Sequence, residues 1–163
     1  HNLFFDVNFD AHAGSIYDTP EWPEDPLFYV NLPSQSDPLM APKGKEACFI
    51  LIPIAPNLED TTELREKYFN IVLERMEQLM DTDIKPHILF NESFCVKEFK
   101  KVYNSYKGNA YGMANTLLQT AFLRPKMKSK VVDGLYFTGQ LTVPGPGVPP
   151  ALISGKIVAN FIN

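Results

Sequence analysis

Proline and glycine are concentrated in one short segment near the end of the chain, "TVPGPGVPP", residues 142–150. Glycine adopts backbone conformations that other residues avoid, and proline lacks a main-chain donor, so neither a helix interior nor a strand interior fits this segment. The apolar stretch "LYFTG" before it predicts a short strand, and Pro149 and Pro150 suit the first turn of a helix. The chain is therefore predicted to close with a strand, a tight loop and a helix that runs to its end.

The predicted loop would place the N-terminus of the last helix opposite a ligand. Gly145 and Gly147 would let the backbone approach a flat or charged group, and Pro144 would stiffen the loop. The partial positive charge of a helix N-terminus favours a group that is anionic or becomes so during a reaction. A dinucleotide fingerprint is not met, because Pro150 stands where a third glycine is needed and no strand with a ribose-binding acid follows. A purely structural turn is the alternative.

The remaining sequence predicts a single α/β module, since 163 residues with 45% apolar composition bury one core. Segments 27–33, 46–54 and 87–95 are rich in aromatic and β-branched residues and predict strands, the first two an antiparallel pair and the second central in its sheet. Apolar residues at helical spacing predict a helix near 60–81 that lies on the sheet. We expect a mixed, largely antiparallel sheet covered by helices.

Shorter helical elements are predicted on both sides of this unit. "AHAGSIYD" after Phe9 suits one or two helical turns, and "VKEFKKVYN" after Cys95 an amphipathic helix. In "SYKGNAYGMANTLLQTAFLRP", irregular backbone around the two glycines is followed by a short apolar helix that Pro125 ends. Asp60, followed three residues later by Glu63, indicates a capping box at the start of the main helix.

Charge is distributed unevenly along the chain, whose net charge is −4. Residues 1–30 carry six acidic side chains and no Lys or Arg, whereas residues 97–130 carry eight basic side chains and one acidic. Charged faces exposed to solvent would explain this pattern. The more specific alternative is that the basic segment contacts phosphates of a cofactor or of anionic lipid. Nucleic acid is not an expected partner, because the protein is acidic overall and has no recognisable binding motif.

Cysteine and histidine patterns indicate neither disulfides nor a metal site. Cys48 and Cys95 fall in predicted strands and are expected to be reduced, buried thiols of a cytosolic protein. His1, His12 and His87 show no metal-ligand spacing, so no metal is expected. No nucleophile, histidine and acid form a recognisable triad, and no catalytic residue is assigned.

The stretch "LYFTGQLTVPGPGVPPALISGK" is similar to the C-terminal flavin-binding signature of the bacterial-type phytoene desaturases, carotenoid desaturases of the FAD-dependent amine oxidase superfamily. Further matches occur along the whole chain: "HNLFF", "WPEDPLFYVN", "DPLMAPKGK", "LIPIAPNL" and "YKGNAYGMANTLLQTAFLRP". Departures at Gln140, Leu141, Val143 and Pro150 put the substrate in question more than the cofactor. The resemblance identifies the chain as the C-terminal portion of a longer enzyme, whose N-terminal part would carry the phosphate-cradling glycine fingerprint.

The resemblance implies a flavin enzyme that removes a hydride and a proton from adjacent carbons of a carotenoid such as phytoene. FAD would be the cofactor of the full-length protein. Residues 1–107 would belong to the substrate-binding domain and residues 108–163 to the C-terminal part of the FAD-binding domain. The residues assigned to the flavin site are Gly139, Gln140, Pro144, Gly145, Gly147, Val148 and Pro149.

Within that implied site, the Val148 N–H is the preferred donor, because Pro149 and Pro150 cannot donate. Tyr111 and Met113 are candidates for substrate contacts, with packing in the core as their alternative. A carotenoid isomerase or a retinol saturase is the nearest alternative among flavoenzymes, and a non-catalytic interaction module that has lost its cofactor is the alternative of another class.

Several expectations concern partners and location. The chain alone is expected to be inactive and to leave an apolar face exposed, which the absent N-terminal part or a second copy of the chain would cover. The longest apolar run, residues 47–55, is far below the roughly 20 residues that span a bilayer. The basic segment and an apolar substrate together predict a cytoplasmic enzyme that docks on an anionic membrane surface without spanning it.

Overall fold

The computed structural model describes residues 1–113 and 116–162, and the chain divides into two compact units, His1–Phe99 and Lys100–Asn163. In the described residues, the first unit contains a small sheet and the helices that flank it. The second contains 3₁₀ turns, a loop and the last helix. Helix α3, Val96–Tyr103, runs through the point of division. The fold is mixed α/β, as the sequence predicts.

The first unit contains an antiparallel three-stranded sheet in the order β1 (Asn2–Phe4), β2 (Phe28–Asn31) and β3 (Phe49–Leu51). Leu3 pairs with Tyr29, which pairs on its other side with Leu51. The predicted antiparallel pair is confirmed. The prediction that its second strand is central is wrong, because β2 takes that place in the described sheet.

Helix α2 (Thr62–Met80) confirms the predicted helix and covers the sheet. Its Val72 and Met76 pack against Phe28 and Val30 of β2 to form the buried cluster of this unit. The alternating burial of β2 follows from the period-two geometry of a strand, which turns every second side chain toward the helix.

The helix starts differently from the predicted capping box. The Thr61 hydroxyl accepts a hydrogen bond from the Leu64 N–H at 3.2 Å and is the N-cap. The Asp60 carboxylate instead accepts hydrogen bonds from Arg65, so it is drawn away from the end of the helix.

The strand predicted at 87–95 is absent from the structure, in which a 3₁₀ turn (Lys85–His87) leads into extended chain that pairs with no described strand. Leu89 and Phe90 are exposed there. At the two ends of the segment no main-chain donor is available for a ladder, since Pro86 lacks an N–H and the Cys95 N–H donates to the Glu98 carboxylate at 2.9 Å.

The cysteines are free thiols, but the prediction that both are buried in strands is wrong. Cys48 precedes β3 and is exposed, and Cys95 precedes α3 and is half-buried.

Two short helices of the chain match their predictions. Helix α1 (Phe9–Tyr17) is capped by Asn8, whose side chain accepts from the Ala11 N–H, and α3 is the predicted amphipathic helix. The short apolar helix expected before Pro125 is instead two 3₁₀ turns, Leu117–Gln119 and Ala121–Leu123.

The closing elements form helix α4 (Val148–Ile162), preceded by much less strand than predicted. "LYFTG" makes a single antiparallel bridge, Lys128 with Tyr136, because its partner is only the short basic segment beside it. In the part of the chain that the structure describes, no helix is both long and apolar enough to cross a membrane.

Candidate functional site

Residues 139–147 form the tight loop that the proline and glycine pattern predicts. Gly139, Gly145 and Gly147 have φ angles of 94°, 133° and 112°. These angles lie in the region that side chains with a Cβ rarely adopt, so each position requires glycine for its backbone path. The Val143–Pro144 peptide bond is cis. The loop turns the chain from the bridge at Tyr136 into the first residue of α4.

A buried serine of α4 holds the start of the loop. The Gly139 N–H donates to the Ser154 Oγ at 2.7 Å, and the Ser154 hydroxyl donates to the Ala151 carbonyl at 2.6 Å. Ser154 has no exposed surface. The loop is therefore tied to the helix that follows it by a hydrogen bond whose acceptor is shielded from water.

Thr142 and Arg124 hold the middle of the loop. Thr142 donates twice to the Gly139 carbonyl, from its N–H at 3.1 Å and from its hydroxyl at 3.0 Å. Arg124 Nη1 donates to the Gln140 carbonyl at 2.9 Å. A Cβ on Gly145 would lie 3.4 Å from the Arg124 guanidinium carbon, so the loop backbone passes close to that cation.

Sequence reasoning missed Ser154, Thr142 and Arg124 as site residues. Each is almost fully buried, with 0%, 1% and 4% of its surface exposed. One signal was available in the sequence, since an arginine inside the apolar run "TAFLRP" and a serine inside "ALISGK" are polar residues among apolar ones. Which main-chain groups they bind is decided by the tertiary structure.

The first turn of α4 leaves one main-chain donor for a ligand among the described residues. The Ala151 N–H donates to the Gly147 carbonyl at 3.0 Å, and Pro149 and Pro150 have no N–H. The Val148 N–H remains, at the positive end of a helix of 15 residues and beside a solvent-exposed side chain. This donor set fits an anionic or charge-accepting group.

The structure also brings the two substrate candidates next to this loop. Gly112 lies between Tyr111 and Met113, and a Cβ built on it would be 2.4 Å from the Leu141 Cδ2 and 3.7 Å from the Gln140 Cγ. Tyr111 is exposed and Met113 half-buried.

Exposed lysines line a cavity of about 580 Å³ near the same loop. Lys126, Lys128 and Lys130 are exposed, whereas Met127 between them is buried. The alternation indicates extended backbone that turns its cations to one side. Apolar side chains from α4, among them Phe161, complete the lining.

Two carboxylates of the first unit, Asp60 and Glu98, have a lowered pKa and are structural. Arg65 binds both Asp60 oxygens, at 2.6 and 2.7 Å, and the Glu98 carboxylate at 2.6 Å. These hydrogen bonds lower the pKa of both acids below the ordinary value, so both stay ionised and neither suits a general acid. Across residues 1–113 and 116–162, no group of three or more His, Cys, Asp and Glu side chains could hold a metal.

Comparison with known proteins links this chain to enzymes of carotenoid chemistry. It is 44% identical over 162 residues to a carotenoid 3,4-desaturase of Haloarcula japonica, and 34% identical over 167 residues to a neurosporene-forming phytoene desaturase of Rhodobacter capsulatus. It is also 32% identical over 167 residues to a 4,4'-diaponeurosporene oxygenase of Staphylococcus aureus. No protein-family model matches the chain.

These matches cover nearly all of this chain but only a minor part of each relative. They include 99%, 99% and 100% of this chain but only 33%, 32% and 33% of the respective relatives, so the chain spans about a third of their length. The similarity extends over both units and is not confined to the glycine loop. The chain belongs to the family of the bacterial-type carotenoid desaturases and corresponds to their C-terminal portion.

Proposed function

We propose that this chain is part of an FAD-dependent oxidoreductase that desaturates a carotenoid such as phytoene. The observation that carries the proposal is the loop at 139–147, which leads into a helix whose first turn presents the Val148 N–H, within a chain similar throughout to carotenoid desaturases. In this proposal residues 1–107 contribute to substrate binding and residues 108–163 complete the flavin domain.

A bound flavin would supply the acceptor for the hydride that a hydrocarbon gives up. This chain would contribute the Val148 N–H and the positive end of α4, which stabilise negative charge on a nearby ring as it develops. Ser154, Thr142 and Arg124 would act by holding the loop backbone, and so would keep that donor aimed. Preorganised donors of this kind lower a barrier because they need no reorientation during the reaction.

The substrate would be positioned by shape and apolar contact, since a hydrocarbon polyene has no hydrogen-bonding group. Tyr111 and Met113 would supply such contact beside Leu141 of the loop. The other assigned flavin-site residues, Gly139, Gln140, Pro144, Gly145, Gly147 and Pro149, would shape the loop that faces the ring.

The test uses the full-length protein and two substitutions at one position. Val148→Pro removes the N–H but suits the first helical turn, whereas Val148→Ala keeps the N–H and removes only side-chain atoms. We expect the wild type and Val148→Ala to be yellow and to add double bonds to phytoene. We expect Val148→Pro to lose roughly tenfold or more in kcat/KM, as for removal of one charge-stabilising donor.

Product analysis separates the alternatives. Gain of a double bond supports desaturation, a change of geometry alone would indicate an isomerase, and loss of a double bond a saturase. A colourless, inactive full-length protein would favour the interaction module, and equal activity of the two Val148 variants would remove the proposed role of that amide.

We also propose that the exposed lysines at 126, 128 and 130 dock the full-length enzyme on an anionic bilayer. A cation near such a surface contributes about 1 kcal/mol at physiological ionic strength. Replacing all three by Gln should abolish sedimentation with phosphatidylserine-containing vesicles at low salt. The matched control, which replaces three exposed lysines elsewhere, Lys43, Lys45 and Lys85, by Gln, should not. Equal sedimentation of both variants would refute the proposal.

A further inference from the structure

Arg124 is a cation that the second unit buries by itself. Only 4% of its surface is exposed, and the loop at 139–147 that contacts it belongs to the same unit. Further chain packed around this unit would add to that burial. A guanidinium keeps its charge in proteins, so a full positive charge lies in the interior beside the loop. Water and salt screen an interior charge much less than an exposed one.

The guanidinium group contacts the loop near both of its ends. Nη1 donates to the Gln140 carbonyl at 2.9 Å. A Cβ built on Gly145 would lie 3.4 Å from Cζ and 3.5 Å from both Nε and Nη2, so the loop backbone passes directly against the cation there. Three residues later the chain enters the first turn of α4 at Val148. The charge therefore lies against the backbone that leads to the proposed donor.

Holding a carbonyl group does not by itself require a charge. A neutral amide makes the same kind of hydrogen bond, and a cation costs more free energy to bury than an amide does. Neutral hydrogen bonds with Thr142 and Ser154 already hold the start of the loop. An arginine at this position is accounted for if its charge also acts on a ligand that faces the loop.

We propose that the Arg124 charge favours the reduced form of the flavin over the oxidised form and so raises the midpoint potential of the bound flavin. This inference rests on the proposed function and adds to Arg124, a positioning residue of the loop, an electrostatic role. The hydride that the substrate gives up brings an electron pair and one negative charge to a neutral acceptor ring. A nearby cation in an interior of low effective dielectric stabilises the charged product of this transfer more than the neutral acceptor.

The test measures the midpoint potential of the flavin in the full-length protein by titration against a reference redox dye. Arg124→Gln removes the charge but keeps an N–H donor for the Gln140 carbonyl, Arg124→Met removes both, and Arg124→Lys keeps both. We expect the Gln and Met variants each to weaken binding of reduced relative to oxidised flavin about tenfold, which lowers the potential of a two-electron couple by about 30 mV. Arg124→Lys should stay within about threefold of the wild type, because the charge remains.

Lys156→Met is the matched control, since it removes an exposed cation of α4 and should leave the ratio of the two affinities within about twofold. Circular dichroism checks that each variant is folded. Exchange of the Thr142 amide hydrogen, which is bonded to the Gly139 carbonyl at 3.1 Å, reports how firmly the loop is held. We expect faster exchange in Arg124→Met than in Arg124→Gln but an equal fall in potential, since the two differ in the donor and not in the charge.

The outcomes separate this inference from the proposed function. A potential unchanged in both neutral variants of an active enzyme would overturn the inference and leave the function standing. A fall in Arg124→Lys as large as in Arg124→Met would also overturn it, because loss of the loop contact would then explain both. A lowered potential in the neutral variants of a yellow protein that desaturates no carotenoid would support the inference and overturn the function. A colourless full-length wild type would overturn both.

Discussion

The hydrogen bond between Ser154 and the Gly139 N–H gives the sharpest prediction about the loop. Ser154→Ala removes the acceptor but leaves the donor in place, half-buried and facing a side chain with no exposed surface. Water therefore cannot replace the lost partner from the side of α4. A buried donor left without an acceptor costs about 1–3 kcal/mol.

The net magnitude follows from two opposing effects. Alanine is the better helix former by about 0.5 kcal/mol, which offsets part of the loss in α4. The hydroxyl's own bond to the Ala151 carbonyl is local to the helix, so its removal adds little. We expect the loop to open more easily by roughly 1–2 kcal/mol, which corresponds to about five- to thirty-fold faster exchange of the Gly139 amide hydrogen.

The assay is amide hydrogen exchange at residue resolution, with Ser129→Ala as the control. The Ser129 Oγ accepts from the N–H groups of Val131 and Val132, both exposed, so water can take its place there. We expect Ser129→Ala to change protection by less than about 0.5 kcal/mol. The reasoning would be refuted if Ser154→Ala left the Gly139 amide as protected as in the wild type, or if the two variants behaved alike.

Two further predictions concern stability and use urea unfolding. Arg65 lowers the pKa of Asp60, so this ion pair adds to the free energy of unfolding above the ordinary carboxyl pKa, about 4, and the contribution is lost as pH falls through the lowered value. Arg65→Met should therefore cost about 3 kcal/mol at pH 7, and its free energy of unfolding should fall less steeply in acid than that of the wild type. Gly112→Ala should cost about 1 kcal/mol more than Gly44→Ala: both glycines have positive φ, 84° and 76°, but only at Gly112 would the added Cβ meet a neighbour, at 2.4 Å.

Unfolding of the Arg65 variant is followed by tryptophan fluorescence, and unfolding of the glycine variants by circular dichroism. Trp22 is the only tryptophan of the chain, and its ring lies 4.5 Å from that of Tyr68 on α2, so its fluorescence follows unfolding of the first unit. A decline below pH 4 as steep in Arg65→Met as in the wild type would contradict the ion-pair argument. Equal losses for the two glycine variants, followed by circular dichroism, would show that the contact at Gly112 has no energetic weight.

Elements whose signals are local were predicted well. Helix α2 carries its own apolar stripe and its own start and stop, so periodicity alone located it to within about two residues. The β2–β3 pair followed from two apolar runs joined by a turn-rich connection. Residues 87–95 have a similar composition but pair with no described strand, because strand formation needs a partner and composition does not show whether one is available. Strand β1 was missed, since three residues are too few to show alternation.

The loop at 139–147 shows the same division at the level of the candidate site. Its glycines were predicted because glycine is the residue that readily adopts positive φ angles, and glycines interspersed with prolines indicate a tight loop. The donor at Val148 followed from the two prolines after it. Its supports did not follow, since Arg124, Thr142 and Ser154 act on main-chain atoms that lie up to 16 residues away.

The sequence by itself determined the family, the four α-helices of the described residues, the loop and the donor at Val148, because each depends on residue types at fixed short spacings. Tertiary structure decided which strands pair, which buried polar side chains hold the loop, and that the buried His12 ring of α1 binds the Leu27 N–H and the Pro53 carbonyl. Those outcomes depend on hydrogen bonds and packing between residues distant in the chain, and such partners compete for the same main-chain groups. Which partner wins is settled only when the whole chain has folded.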